Sequence, residues 1–480
     1  MARILGFVNL YDSPSLGELT AHRTPASTSF IGRFALIDFA LSNFTNARIN
    51  NINILIKDNF RSVAKHCGSL KFWASNTKKG IQNYLINEKG ISDPNFNSDL
   101  NAIRENDWTI LEENPDYIVI QPAHIVTTIN LGDMIHSHIE SGADITMAYT
   151  QIDDANEAFL SSRILDVKDG KVVKCSENKG AKAKANVSLR TYVFSRKMFD
   201  KILKHKDFKS ALSLRSLLEK IVNEQITTVN AYKYVGYARC FDSFKNFMKY
   251  SFELLNIDVA AKLFLGNQCK VYTISRNTPP SVYLDNALVT NSFVANGARI
   301  GGKVTNSIIS RYVTVEEGAE VKDSIILTRT VIKKGASVEN ALIDKYSTIS
   351  GKVKGTKNKP KWILIDEAQF LTREHVIELT DIVDILKIPV ICYGLRADFQ
   401  DNLFPGSEAL FVYADALNEM KTICECGEGA TRNIRFVNNI PVFEGNQVAI
   451  DGENEVGYES LCGKCYLEKV LGITLENSGL

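Results

Sequence analysis

Thr356 to Phe370 reads TKNKPKWILIDEAQF, and two unlike sequences meet in it. Upstream, as far as Gly351, small or apolar residues recur every few positions with turns at Gly, the rhythm of a β-solenoid. Downstream, the apolar strand Trp362-Ile363-Leu364-Ile365 ends in Asp366-Glu367. A buried strand that delivers paired acids at its carboxyl end is an arrangement that holds Mg²⁺ against phosphates. A solenoid coil has no use for such a pair. The basic, Pro-containing run Lys357-Asn358-Lys359-Pro360-Lys361 marks the boundary.

At 480 residues the chain is too long for one core, and length alone predicts about three domains. A formal net charge of +1 gives no reason to expect nucleic-acid or membrane binding through bulk charge. No apolar run has membrane-spanning length, and Met1–Phe7 reads as a short strand, not a signal peptide. Of nine cysteines, Cys67, Cys175, Cys240, Cys269 and Cys392 are scattered and the other four cluster near the C-terminus. That spacing predicts a reducing cytoplasm with one metal site, not a disulfide framework.

Residues 1–255 alternate strand and helix. Strands are predicted at Arg3–Leu10, Ile52–Lys57, Tyr117–Gln121 and Ile145–Tyr149, with helices at Phe34–Ile49, Phe60–Trp73 and Leu131–Glu140. The pattern implies a Rossmann-like, mostly parallel sheet with helices on both faces, its ligand beyond the strand ends near the loop after Leu10. Leu16, Leu19-Thr20, Arg23, Gly32, Leu36-Ile37-Asp38-Phe39 and Leu41-Ser42-Asn43 resemble the opening of ADP-glucose pyrophosphorylase (glucose-1-phosphate adenylyltransferase). The similarity continues at Tyr192-Val193-Phe194 and Gly236-Tyr237 and through the solenoid. It implies an α/β nucleotidyltransferase domain of glycogen biosynthesis, which joins glucose-1-phosphate to ATP.

Nucleotidyl transfer puts negative charge on phosphorus and pyrophosphate, so it needs close backbone N–H groups, cations and a metal. In the resemblance, two loop glycines of the family fall on Tyr11 and Ser13, its arginine on Ser15 and its lysine on Pro25. Its two metal-binding aspartates fall on Ala123 and Cys240. The resemblance therefore implies a non-catalytic, regulatory-type subunit. It also places Glu177 and Ser188 at the sugar, although Asn178-Lys179 replaces Lys-Pro, and puts Arg33 where the family answers to sugar-phosphate effectors.

After the helix predicted over Phe244–Leu255 and a linker over 256–280, a β-helix of hexapeptide repeats is expected over 281–355. Val294–Gly301, Val313–Ala319, Val331–Val338 and Ala341–Ile343 carry it. Some hexapeptide solenoids are acyltransferases, but no His lies between Ile274 and Lys361, so nothing here offers a positioned histidine base. By the resemblance this domain serves subunit contact and regulation; a fixed spacer is the other reading.

Past the junction at 356–361, Asp366–Phe370, Pro389–Arg396, Asp398-Phe399 and Phe404–Ser407 resemble bacterial zinc-containing thymidine kinases. Cys424-Glu425-Cys426 and Cys462-Gly463-Lys464-Cys465 supply four thiolates in two close pairs, a tetrahedral structural zinc set. The resemblance implies a partial P-loop kinase α/β segment over 362–422 and a zinc-binding lasso and tail over 423–480, with Tyr458 near the nucleoside base. It implies Asp366 as the Mg²⁺ ligand, weak on its own, and Glu367 as the base for the thymidine 5′-hydroxyl. No Gly-Lys pair here is followed by Ser or Thr, so the P-loop G-x-x-x-x-G-K-[ST] is missing.

The sequence thus reads as a cytoplasmic regulatory subunit paired with a catalytic glucose-1-phosphate adenylyltransferase subunit and carrying an incomplete thymidine kinase segment. Two rivals stand beside it. One is an active enzyme, either an adenylyltransferase or a kinase completed by another chain; the other is a structural or binding chain whose C-terminal segment is a fusion accident.

Overall fold

The computed structural model describes residues 2–73, 80–92, 96–160, 162–209, 211, 213–266, 269–274, 277–355, 363–385, 388–420, 422–438, 440–444 and 456–471. The junction at 356–361, Trp362 and the tail beyond 471 lie outside the described residues. Two units are present, Met1–Gly355 and Thr356–Leu480.

The first unit is built on a nine-stranded sheet. Its strands are β1 (Ile4–Asn9), β2 (Asn51–Ile56), β3 (Gln82–Ile86), β4 (Tyr117–Pro122), β6 (Ile145–Ile152), β7 (Arg163–Lys168), β8 (Lys171–Glu177), β9 (Ala185–Ser195) and β10 (Val229–Lys233). A separate ribbon pairs β5 (Ile125–Thr127) with β11 (Ala238–Cys240). The spatial order is β3-β2-β1-β4-β9-β6-β10-β8-β7. Alternate residues along the central strands feed opposite cores: Val8, Ile54 and Val119 pack into one, Phe7, Leu55 and Ile118 into the other. That two-sided burial is why these strands read as continuous apolar runs.

The sheet is mixed, not mostly parallel as the alternation predicts. β1 to β4 pair in parallel, but β9 runs antiparallel to both β4 and β6, and β7 and β8 form an antiparallel pair. Consecutive β7 and β8 are joined by a turn at Asp169-Gly170, both at positive φ. Such a tight turn makes antiparallel pairing the accessible geometry.

From Val282 to Lys354 the strands form three parallel stacks, two of five strands and one of four. Ile300, Val304, Val315, Val321, Ile332 and Val338 fill the interior. Asn291, Asn306, Asp323 and Asn340 turn the corners with left-handed backbone, which Asn and Asp tolerate. Their side chains form a ladder: Asn291 Nδ2 donates to Asn306 Oδ1 (2.9 Å), and Asn306 Nδ2 to Asp323 Oδ1 (2.6 Å). Spacings of 15 and 17 residues separate the rungs, short of three full hexapeptides. Ile308, Ile325 and Leu327 pack with Leu16, Phe30, Phe39 and Phe247, and Arg23 grips Asp344 through two bonds of 2.8 and 2.5 Å.

In the second unit, Ile363–Ile365 pairs in parallel with Val390–Cys392, and these two strands make up the whole of that sheet among the described residues. The buried strand expected from sequence is not buried: Leu364 is 66% exposed. Among the described residues it has a single sheet neighbour, so one of its edges is unpaired. A separate antiparallel sheet orders Ile440–Val442, Arg432–Val437 and Val456–Leu461, and the helix Gly463–Leu471 follows.

Candidate functional site

The crevice beyond the carboxyl ends of β1 and β4 is where such a sheet presents a ligand. Ala123 follows β4, and the β5–β11 ribbon sets Cys240 opposite Ile125 while Phe241 N–H donates to the His124 carbonyl (2.8 Å). Ala123 and Cys240 thus end up in one buried core at this end of the sheet. Ala123 has no ligand atom. Burial foremost, and then the charge of Asp242, pushes the Cys240 thiol up and keeps it protonated. Asp242 is itself raised by burial and accepts from Asn246 Nδ2 (2.7 Å).

The loop after β1 is closed on itself. Asn9 Oδ1 accepts from Tyr11 N–H (2.9 Å), and Ser15 Oγ accepts from Gly17 N–H (3.2 Å). Tyr11 is buried. Pro25 opens a 3-10 turn, a position where its missing N–H costs nothing. None of these groups offers a cation or a free backbone donor to a phosphate.

A different residue dominates the crevice. Arg190 lies in the middle of β9 at φ 50°, and the pairing of β9 with β6 slips between Ser188 and Tyr192. This bulge sends the guanidinium inward, where Nη1 donates to the Asp12 carbonyl (3.3 Å) and approaches His124 Nε2 (3.4 Å). The Asp12 carboxylate lies 3.9 Å from Arg190 and 4.0 Å from Arg215. Burial, then the charges of Arg190 and Arg215, pushes His124 well below the usual imidazole range, so it is neutral. Asp99, raised to about 6 chiefly by burial, accepts from Asn9 Nδ2 (3.0 Å). The sequence reading passed over Arg190, although a lone charge inside the apolar run Val187–Phe194 was the available signal.

Ser188 is buried, and its Oγ accepts from Arg190 N–H (3.1 Å). Glu177, at the end of β8, is exposed and 3.9 Å from Arg163 Nη1. β7 hydrogen-bonds to the strands of both residues. Arg33 is exposed, its guanidinium over the Phe34 ring.

In the second unit Asp366 and Glu367 both face solvent. Asp366 Oδ1 accepts from Glu367 N–H (3.0 Å), and Glu367, left-handed at φ 53°, takes a bond from Gln369 Nε2. A non-glycine residue held there stores about 1–3 kcal/mol, a feature that gathers at functional turns. Tyr458 lies opposite Arg435 in the three-stranded sheet and is half exposed.

The four C-terminal cysteines meet. Their Sγ atoms all lie within 4.8 Å of one another, with Cys426 and Cys462 3.5 Å apart. A turn at Gly427 (φ 93°) bonds Gly427 N–H to the Cys424 carbonyl, and Cys462 lies between the strand Val456–Leu461 and the helix that carries Cys465. Backbone N–H groups of Cys426 and Cys462 push the Cys424 thiol down to about 6, so one ligand is a ready thiolate. Four sulfurs about 2.3 Å from a tetrahedral Zn²⁺ lie roughly 3.8 Å apart. The donor set and its spacing fit that ion.

Residues 15–236 match the nucleotidyl transferase family model and residues 304–466 the thymidine kinase model, so a nucleotidyl transferase domain is followed by a thymidine kinase domain. As far as Gly355, the thymidine kinase match lies on the parallel stacks. Similar curated proteins are thymidine kinases. That of Lactobacillus johnsonii is 54% identical over 101 residues, 21% of this chain and 50% of its own. That of Haemophilus influenzae (strain ATCC 51907) is 49% identical over 114 residues, 24% of this chain and 58% of its own. That of Legionella pneumophila (strain Lens) is 44% identical over 138 residues, 28% and 65%. The chain spans about half the length of the curated relatives it matches. No helix among the described residues is long and apolar enough to cross a membrane.

Proposed function

We propose that the chain is a non-catalytic, regulatory subunit of glucose-1-phosphate adenylyltransferase in glycogen biosynthesis. It works in the cytoplasm in a mixed oligomer with a catalytic subunit. One observation carries this: Ala123 and Cys240 share one buried corner of the crevice, where transfer would require two metal-binding carboxylates. A copy without chemistry acts by contacting its partner's states differently. In this reading residues 1–255 are the transferase-like domain, 256–280 the linker and 281–355 a β-helix of hexapeptide-type coils that makes subunit contact. Glu177 and Ser188 are remnants of a sugar site, and Arg33 is the effector contact.

After a junction at 356–361, residues 362–422 are an incomplete kinase segment and 423–480 a lasso organised by one structural zinc on Cys424, Cys426, Cys462 and Cys465. Asp366 holds Mg²⁺ weakly, Glu367 is an idle base and Tyr458 marks the nucleoside side. Purified chain given ATP and glucose-1-phosphate should form no ADP-glucose. Co-expression with a catalytic subunit should give a complex with altered turnover or effector response. Product from the chain alone, or a partner that neither binds nor changes, would end the proposal.

A further inference from the structure

The crevice contains a charge that nothing assigned so far requires. We propose that the guanidinium of Arg190 is the resident occupant of the crevice at the ends of β1 and β4, an internal plug that holds it shut against small ligands. This deepens the non-catalytic reading and rests on it.

Three observations support the plug. The backbone at Arg190 is left-handed within a strand, a conformation that favours glycine, so a large side chain is held there against local preference. The register slip between Ser188 and Tyr192 aims that side chain inward. It is then tied at several points, to the Asp12 carbonyl at 3.3 Å, to His124 Nε2 at 3.4 Å and to the Asp12 carboxylate at 3.9 Å. The side chain is 7% exposed. The cavity left beside Asn9, Asp99 and Leu214 measures about 10 Å³, room for about one water and none for a sugar or a base. Because His124 is neutral, its Nε2 can accept, so the pair holds without like-charge repulsion.

Cys240 reports on the plug, since it is 3% exposed in the corner beside Ala123 and near enough to feel the charge of Arg190. The full chain would be treated with N-ethylmaleimide and labelling followed peptide by peptide, with buried Cys67 and Cys175 as controls. In R190G, labelling of Cys240 should rise on the order of tenfold or more, with both controls unchanged. In D12N, which removes the carboxylate beside both arginines, Cys240 should also rise, by a smaller factor.

A folded R190G with unchanged Cys240 labelling overturns the plug. If R190G loosens everywhere and the controls react too, D12N decides: a rise confined to Cys240 supports the plug, and no rise overturns it. Turnover measured alongside keeps the two readings apart. Product from wild-type chain ends the non-catalytic reading, whereas unaltered Cys240 labelling in R190G ends only the assignment of Arg190.

Discussion

Cys462→Ser should cost the chain its zinc and, with it, the order of a whole subdomain. Around the four cysteines the fully buried aliphatic side chains among the described residues are Ile434 and Leu461. Each contributes about 1.5–3 kcal/mol, so together they supply at most about 6 kcal/mol. The six-residue strands Arg432–Val437 and Val456–Leu461 must be ordered against this, at about 1 kcal/mol or more per residue. These two side chains alone therefore fall short by roughly 6 kcal/mol. A structural zinc supplies on the order of 10 kcal/mol at neutral pH, which reverses the balance. Elemental analysis should find about one zinc per wild-type chain and almost none in C462S. Hydrogen exchange should show both strands losing protection in C462S or in chelator, while β1 keeps its own. Zinc-free wild-type protein, or strands that stay protected after the metal is withdrawn, would refute the reasoning.

Other outcomes follow from features already described. Wild-type chain given thymidine and ATP should release no thymidine monophosphate in a radiolabel assay, because no P-loop cradles the phosphates; labelled product would contradict this. Leu327→Ala, at a side chain 1% exposed between the stacks and the transferase domain, should destabilise the first unit by about 2–5 kcal/mol in denaturant titration. His138, pushed down to about 4 mainly by burial, binds a proton more readily unfolded than folded. Its contribution is complete above the ordinary histidine pKa of about 6.5 and is lost as pH falls from there toward 4, at up to about 1.4 kcal/mol per pH unit. Melting curves of His138→Gln should show a shallower acid slope in that window, and a parallel slope would count against the assignment.

Much of the first unit was legible because its signals are local. The apolar runs at β1, β2 and β4 announce strands covered on both faces, and the recurring apolar residues from Val294 to Ile343 announce the stacks. Pairing direction was harder to read: β7 and β8 turn back at Asp169-Gly170, and β9 inserts antiparallel between β4 and β6 by a long-range choice no window displays. In the cysteine cluster, each pair is close in sequence, so residue identity was enough to mark four sulfurs that could hold a metal ion. Arg190 shows the opposite case. Its role depends on a bulge and a positive φ, and both are properties of the folded sheet. The strand at Ile363–Ile365 read as buried because its composition is that of a central strand, yet burial depends on neighbours that composition does not supply.

The ladder of Asn291, Asn306, Asp323 and Asn340 has a consequence for how this chain can change in length. Asn291, Asn306 and Asp323 are bonded in turn, each to the next a full coil away, and Asn340 Nδ2 reaches the Gly355 carbonyl 15 residues on. Gly355 is packed so closely there that an added Cβ would lie 1.9 Å from the Asn340 carbonyl oxygen. One residue inserted between rungs shifts every later side chain off its stack, whereas a whole coil of 15 or 17 restores the alignment. Descendants of this sequence can therefore lengthen or shorten the region in coil-sized steps, and single-residue insertions or deletions belong outside the ladder.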